Sequence, residues 1–581
     1  MKHTLSYIPD YPRPQLVRDG WTNLNGEWDF AFDRDGAGER RGYCRGFAPQ
    51  CKITVPFAYE TPASGIGDPA LCENVWYMKK LALSPERGKR LLLHIEGCDY
   101  ATRVWLNGKD CGAAEGCCHR LTFELTAAAT AGDNVLVIGV KDSYSKAQPR
   151  GKQRWQSDDH GCWYLDATGI YKTVWLETVN AAYIDGVRIT PSVTSRSVAF
   201  EATAVGARDG AVLFVAVGYG GKRVAAAEGV IADGACRLTL EIPERDLRLW
   251  NVGAAELYDA ELALTDGNAT DAVKSYFGMR EIKIDGGRVL LNGKPLYQKL
   301  VLDQGYWRNS GLTAESGDAL DADIALMTEM GFNGCRKHEK VEDERFMYYA
   351  DARGYLVWCE MPSLFELTDK SKAAFRAEWA AVVRQMYNHP CIVCWVCFNE
   401  SWGIEAVKTD KSVQDFVNAV YRDVKSYDGT RPVITNDGWE HTLSDILTIH
   451  HYTQDGGVLH DAFDSVEKCV AEQYAAHDRG AYADGYGYHG QPIIISEFGG
   501  TAFVRDAVGA SWGYGDGVKD DDEYAARLAA LVRAIDSVPF ISGYCYTQLS
   551  DVYHEVNGLT DFDRTPKLAP SRIRAIIDGK E

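Results

Sequence analysis

Over residues 1–180, short apolar runs of strand length alternate with polar turn signals. Leu91 to Ile95 is followed by Ala101 to Leu106, and Asn107-Gly108 then supplies a tight hairpin turn. Val135 to Val140 is a further β-rich run, opened by Gly132-Asp133-Asn134. Two sheets packed as a sandwich satisfy this pattern. Residues 181–277 repeat it on a smaller scale, with runs at Val198–Val205, Ala211–Val217, Cys236–Ile242 and Ala255–Leu264. That span suits an immunoglobulin-like sandwich. From residue 278 strand-like runs alternate with helix-like ones, which predicts parallel βα units. Eight runs qualify: Tyr297–Asp303, Phe332–His338, Tyr355–Met361, Cys391–Glu400, Pro432–Asp437, Ile446–Tyr452, Pro492–Gly499 and Ile541–Leu549. Amphipathic stretches lie between several of them: Asp318 to Met330, Lys372 to Tyr387, Gln414 to Tyr427 and Asp521 to Ser537. Eight strands in residues 278–581 predict a (β/α)₈ barrel.

Composition narrows the partners. The 581 residues carry a formal charge of −20, with no basic run, so nucleic acid and anionic membranes are poor partners. No apolar run approaches the ~20 residues of a membrane span, and no secretory signal is visible, which points to the cytoplasm. The sixteen cysteines follow no framework spacing. Cys391, Cys394 and Cys397 lie within one apolar run, and with the pair Cys117–Cys118 they read as reduced core thiols.

Barrel chemistry gathers where strands end. The fourth run ends in Asn399-Glu400-Ser401-Trp402 and the seventh in Glu497-Phe498-Gly499-Gly500. Two carboxylates on one rim are what glycoside hydrolysis needs: one protonates the leaving oxygen, the other attacks the anomeric carbon or activates water. Other strand ends bring Asp303, Arg336, His338, Glu360, His450, His451 and Tyr452 to the same rim. Tyr452 is a candidate partner for Glu497. Asp303, His338, His451 and Trp439 are candidate sugar contacts.

These features resemble glycoside hydrolase family 2, the β-galactosidases, β-glucuronidases and β-mannosidases. Leu24-Asn25-Gly26-Glu27-Trp28-Asp29-Phe30, Val104-Trp105-Leu106-Asn107-Gly108 and the segment Gly169 to Glu177 look like its jelly-roll domain, and Asn399-Glu400 and Glu497 match its catalytic motifs. The resemblance implies a jelly roll at 1–180, an immunoglobulin-like sandwich at 181–277 and a catalytic TIM barrel at 278–581. It implies a retaining mechanism with Glu497 as nucleophile and Glu400 as acid/base, carboxyls about 5–5.5 Å apart. Asn399 would bond the sugar 2-hydroxyl, and Arg336 would orient Glu497.

Two departures bear on the sugar. Where the family's glucuronidases carry an Asn-x-Lys carboxylate clamp, this chain has Glu555 and Asn557, and an acidic residue repels a uronate. After strand eight the Trp-rich segment of several relatives is replaced by Tyr544 to Gln548, so Tyr546 and Gln548 are expected to form the sugar platform. Glu360-Met361-Pro362-Ser363 lacks the magnesium pattern of large β-galactosidases, so neither metal nor cofactor is expected. A β-galactoside is the expected substrate; a β-hexuronide held by another clamp, such as Arg564 or Lys567, is the alternative. A carbohydrate-binding protein without activity is a further alternative, although it would have no need for both glutamates. The chain ends soon after the barrel, so barrel loops, the N-terminal domain or a second copy in a homo-oligomer must close the pocket. The polar loop Tyr144 to Tyr164 is a candidate for that closure.

Overall fold

The computed structural model describes residues 4–471, 479–504 and 511–581. The first sandwich pairs a six-stranded antiparallel sheet with a four-stranded one. The six strands, in spatial order, are Cys51–Val55, Gly26–Phe32, Asn74–Leu83, Gly132–Lys141, Ala101–Leu106 and Lys109–Glu115. Inward residues Trp28, Phe30, Tyr77, Leu93, Val104 and Ile138 fill the space between the sheets. The second sandwich packs a sheet of three strands on a sheet of four between Tyr183 and Gly278, around Phe200, Val215, Leu262 and Phe277.

The barrel strands are Gln298–Asp303, Gly334–Lys337, Leu356–Glu360, Ile392–Asn399, Val433–Asp437, Leu447–His451, Ile493–Gly499 and Ile541–Thr547. They form one parallel sheet in the order five, four, three, two, one, eight, seven, six. Every residue of strands four and seven is buried, as expected of a sheet covered on both faces. Among the described residues no ladder joins strands five and six. Side chains bridge that seam: the Thr448 amide donates to His441 Nε2 at 3.0 Å, and the Gly438 amide to Thr448 Oγ1 at 3.1 Å. The four expected amphipathic helices form as Gly317–Glu329, Asp369–Met386, Lys411–Tyr427 and Asp521–Asp536, their N-termini capped by Ser316, Thr368, Asp410 and Asp520. None of the described helices is long and apolar enough to cross a membrane. Among the described residues no disulfide forms, and Cys391, Cys394 and Cys397 are core residues.

The first sandwich reaches over the barrel mouth through residues 144–172. The Arg150 and Gly151 amides donate to the Ser363 carbonyl at 2.8 and 3.0 Å, and Lys172 Nζ to the Val341 carbonyl at 2.8 Å. Gly151 has a φ of +57°, and a Cβ there would lie 2.5 Å from the Glu339 carbonyl oxygen. Only glycine lets the loop press this closely on the barrel.

Candidate active site

Six consecutive barrel strands each place one polar side chain at the centre of the mouth: Arg336, Glu360, Asn399, Asp437, His450 and Glu497. Arg336 is fully buried and organises the set. Its Nε donates to Glu360 Oε2 at 2.6 Å, one terminal nitrogen to Glu497 Oε1 at 2.8 Å, and the other to Asn399 Oδ1 at 2.7 Å. It also pairs with Asp437. A planar guanidinium fixes several acceptors at once, which an ammonium cannot do. Because Arg336 occupies the Asn399 carbonyl, the Asn399 amide nitrogen is left to face the pocket as a donor.

Glu497 Oε2 accepts the Tyr452 hydroxyl. The Tyr452 ring stacks on Tyr514 with centroids 3.5 Å apart. Gly500 makes room for this stack: its φ is +61°, and a Cβ would lie 2.4 Å from the Tyr514 ring.

Glu400 lies just past the strand it was expected to end. Glu400 and Ser401 have φ of 52° and 59°, a region that side chains other than glycine disfavour. Hydrogen bonds hold the turn: the Glu400 amide donates to the Asp437 carbonyl at 2.9 Å, the Ser401 amide to Asn436 Oδ1 at 2.9 Å. This strained turn aims the carboxylate inward. Trp402 Nε1 donates to Glu400 Oε2 at 3.3 Å.

His450 connects the two glutamates. Its Nδ1 is 2.7 Å from Glu400 Oε1, and its Nε2 is 3.0 Å from Asp437 Oδ2 and 3.5 Å from Glu497 Oε1. With both nitrogens facing carboxylates, both carry protons. Burial alone would lower the pKa, but Glu497, Asp437 and Glu400 push it up to about 10. Asp437 is held well below the usual carboxylate range: its burial is outweighed by Arg336 and His450. One oxygen of Glu400, one of Glu497 and a nitrogen of His450 all lie within 4.8 Å of one another.

The pocket over these groups has a volume of about 410 Å³. Asn399, Glu400, Tyr452, Glu497 and His338 line it. Burial, Lys152 and Arg336 hold the His338 imidazole well below its ordinary pKa, and so neutral. Trp163, Trp402, Trp512 and Tyr514 provide aromatic walls.

Several expected contacts lie elsewhere. Asp303 is buried on the outer face of strand one, paired with Lys337 Nζ at 2.6 Å; strand alternation turns Leu302 and Gln304 to the pocket instead. His451 faces away, edge-on to Phe463. Trp439 packs edge-on against His450 behind the wall. Tyr546 points outward to Phe498 and Tyr524, and its neighbour Thr547 lines the pocket. Gln548 supports the wall, accepting from Gln304 Nε2 at 3.0 Å and donating to Asn557 Oδ1 at 2.7 Å. Arg564 lies over Trp307, and Lys567 pairs with Asp551 at 2.6 Å, so neither is the alternative clamp.

The sequence reading missed Lys152, Gly161, Cys162, Trp163, Gln304, Trp512 and Tyr514 as pocket walls. The first four belong to the loop expected to close the pocket. Its charged residues Arg154 and Asp159 pair with each other at 3.1 Å instead of facing the sugar.

Comparison with known proteins gives three family matches. "Glycosyl hydrolases family 2, TIM barrel domain" spans residues 282–577, "Glycosyl hydrolase 2 galactose-binding domain-like" spans 70–169, and "Glycosyl hydrolases family 2" spans 182–280. A "Putative beta-glucuronidase" of Formosa agariphila is 28% identical over 349 residues, 57% of this chain and 40% of the relative. A "Beta-galactosidase" of Thermoanaerobacter pseudethanolicus is 24% identical over 339 residues, 56% of this chain and 44% of the relative. The matches thus span less than half the length of either curated relative. The solved β-glucuronidase of Bifidobacterium dentium, complexed with coumarin-3-O-glucuronide, superposes with a TM-score of 0.78 over 98% of both chains at 21% identity.

Proposed function

Because the chain belongs to glycosyl hydrolase family 2, we propose that it is a retaining exo-β-glycosidase in which Glu497 is the nucleophile and Glu400 the acid/base. The carrying observation is the approach of the two carboxylates to within 4.8 Å around one imidazole. Such an approach of one oxygen from each carboxylate suits the close spacing of a retaining pair better than the wider spacing of an inverting one.

Glu497 attacks the anomeric carbon while Glu400 gives its proton to the departing glycosidic oxygen. The product is a glycosyl ester of Glu497. Glu400, now a carboxylate, takes a proton from water, and the resulting hydroxide displaces Glu497. His450 Nδ1, 2.7 Å from Glu400 Oε1, stabilises the Glu400 carboxylate that the second step uses. Asn399 offers its amide to the 2-hydroxyl, and the aromatic walls cover the sugar faces.

For the sugar, a β-hexuronide is the reading best supported, because glucuronidases recur among the relatives by name. Glu555 on the pocket wall and the galactosidase relative favour a β-galactoside as the second reading. Hydrolysis of nitrophenyl β-glucuronide, galacturonide, galactoside, glucoside and mannoside tests both. One glycoside cleaved by wild type and left intact by Glu497→Ala and Glu400→Ala supports the mechanism. Undiminished cleavage by Glu497→Ala overturns it.

A further inference from the structure

We propose that Lys152, delivered by the first sandwich rather than by the barrel, is the clamp for a sugar carboxylate, so that the pocket selects β-linked uronic acids. The proposal rests on the glycosidase reading above and names its substrate class.

Lys152 lines the same pocket as Glu400 and Glu497 and is 9% exposed. Its backbone is fixed on both sides. The Tyr164 amide donates to the Lys152 carbonyl at 2.8 Å, and the neighbouring Gly151 amide is bonded to Ser363. Its ammonium makes a single hydrogen bond among the described residues, to Cys162 Sγ at 3.4 Å. A thiol sulfur is a weak acceptor and, as a protonated thiol, no counter-ion. Burial pushes the Cys162 thiol up to about 11, so it stays protonated. The carboxylates of Glu339, Glu400 and Glu555 keep Lys152 charged from farther off.

Most oxygens of those carboxylates are committed to other donors. Glu555, the residue that seemed to exclude a uronate, accepts the Tyr164 hydroxyl, Gln304 Nε2 at 3.2 Å and Asn557 Nδ2 at 2.9 Å. Glu339 accepts Ser363 Oγ at 2.9 Å, and burial raises its pKa to about 7. Glu400 is held by His450 and Trp402. The other central cation, Arg336, is spent on Glu360, Asp437, Asn399 and Glu497. Lys152 is therefore an ammonium stripped of most of its water, with two donors unmet among the described residues and a pocket in front of it. A desolvated charge gains most from an opposite charge with which it can hydrogen-bond. A carboxylate on the sugar supplies that charge; a hydroxyl supplies only an acceptor.

The test measures kcat and KM for nitrophenyl β-glucuronide, β-galacturonide and β-galactoside with wild type, Lys152→Met and Glu497→Ala. Wild type is expected to prefer one of the two uronides, and the pair of arms says which. Lys152→Met should lose on the order of 100-fold in kcat/KM on that uronide, chiefly through KM. The ratio of kcat/KM on the uronide to that on the neutral galactoside should fall by a similar factor. The methyl ester of the same uronide, given to wild type, removes the charge from the other side and should show a comparable loss even if the variant fails to fold. Equal rates on ester and acid, or a Lys152→Met enzyme that cleaves the uronide like wild type, overturn the clamp. If wild type prefers the galactoside while Glu497→Ala is inactive, the clamp is overturned and the glycosidase mechanism stands. Glu497→Ala activity equal to wild type overturns the mechanism instead.

Discussion

His450 is the residue through which the two glutamates feel each other, and its charge carries a testable pH dependence. Its folded pKa, about 10, lies above the ordinary value of 6.5. A group raised in the folded state contributes stability that is fully present below its unfolded pKa and is lost as pH rises through the folded one. The protein should therefore lose stability between pH 6.5 and 10, by at most about 1.4 kcal/mol per pH unit from this group. Denaturant titrations across that window should show the slope, and His450→Gln should flatten it; an equal slope in the variant would rule the imidazolium out. Tyr452 acts on the nucleophile directly. Tyr452→Phe removes one of the donors to Glu497 and should lower kcat roughly 100-fold with little change in KM. Burst kinetics would show whether the first step is the one slowed.

At the level of elements, strand ends do most of the placing, and they explain what the sequence revealed. Strand four announces itself as an unbroken apolar run, so Asn399 and Glu400 were legible at its tip, as was Glu497 on strand seven. Arg336, His338 and Tyr452 were legible for the same reason. The failures follow one physical cause. Along a strand, neighbours face opposite sides, and a shift of one residue exchanges pocket for wall. Asp303 gave way to Gln304, and Tyr546 to Thr547. His450, not His451, faces the glutamates. Lys152 carried no signal at all, because a lysine in a polar loop is indistinguishable from a solvated one until the loop is seen on the barrel. The turn after strand seven offers a prediction. Gly500→Ala forces a side chain into the Tyr514 ring at a positive φ. It should cost about 1 kcal/mol of stability or more. It should also cost roughly tenfold or more in kcat/KM as Tyr452 loses its stacking partner. Thermal unfolding and steady-state kinetics of the variant check both.

Across the whole molecule, the sandwiches act as scaffolding that the barrel alone lacks. Arg18 ties them together, bonding Glu177 of the first at 2.9 Å and Asp271 of the second at 2.9 Å, all three nearly inaccessible to water. Arg18→Met leaves two buried carboxylates without their shared cation. Denaturation should show a loss of about 3–5 kcal/mol, the cost typical of an orphaned buried charge. The arrangement has a functional side, since the same first sandwich carries Lys152 and Trp163 over the barrel mouth. The central claim is that Glu497 and Glu400 perform a double displacement at one closely spaced pair. The most direct measurement is proton NMR of the anomeric signal during the first minutes of hydrolysis of whichever β-glycoside is cleaved. The account predicts that the β-anomer of the free sugar appears first and only later mutarotates. First appearance of the α-anomer would mean a single, inverting displacement and would contradict it.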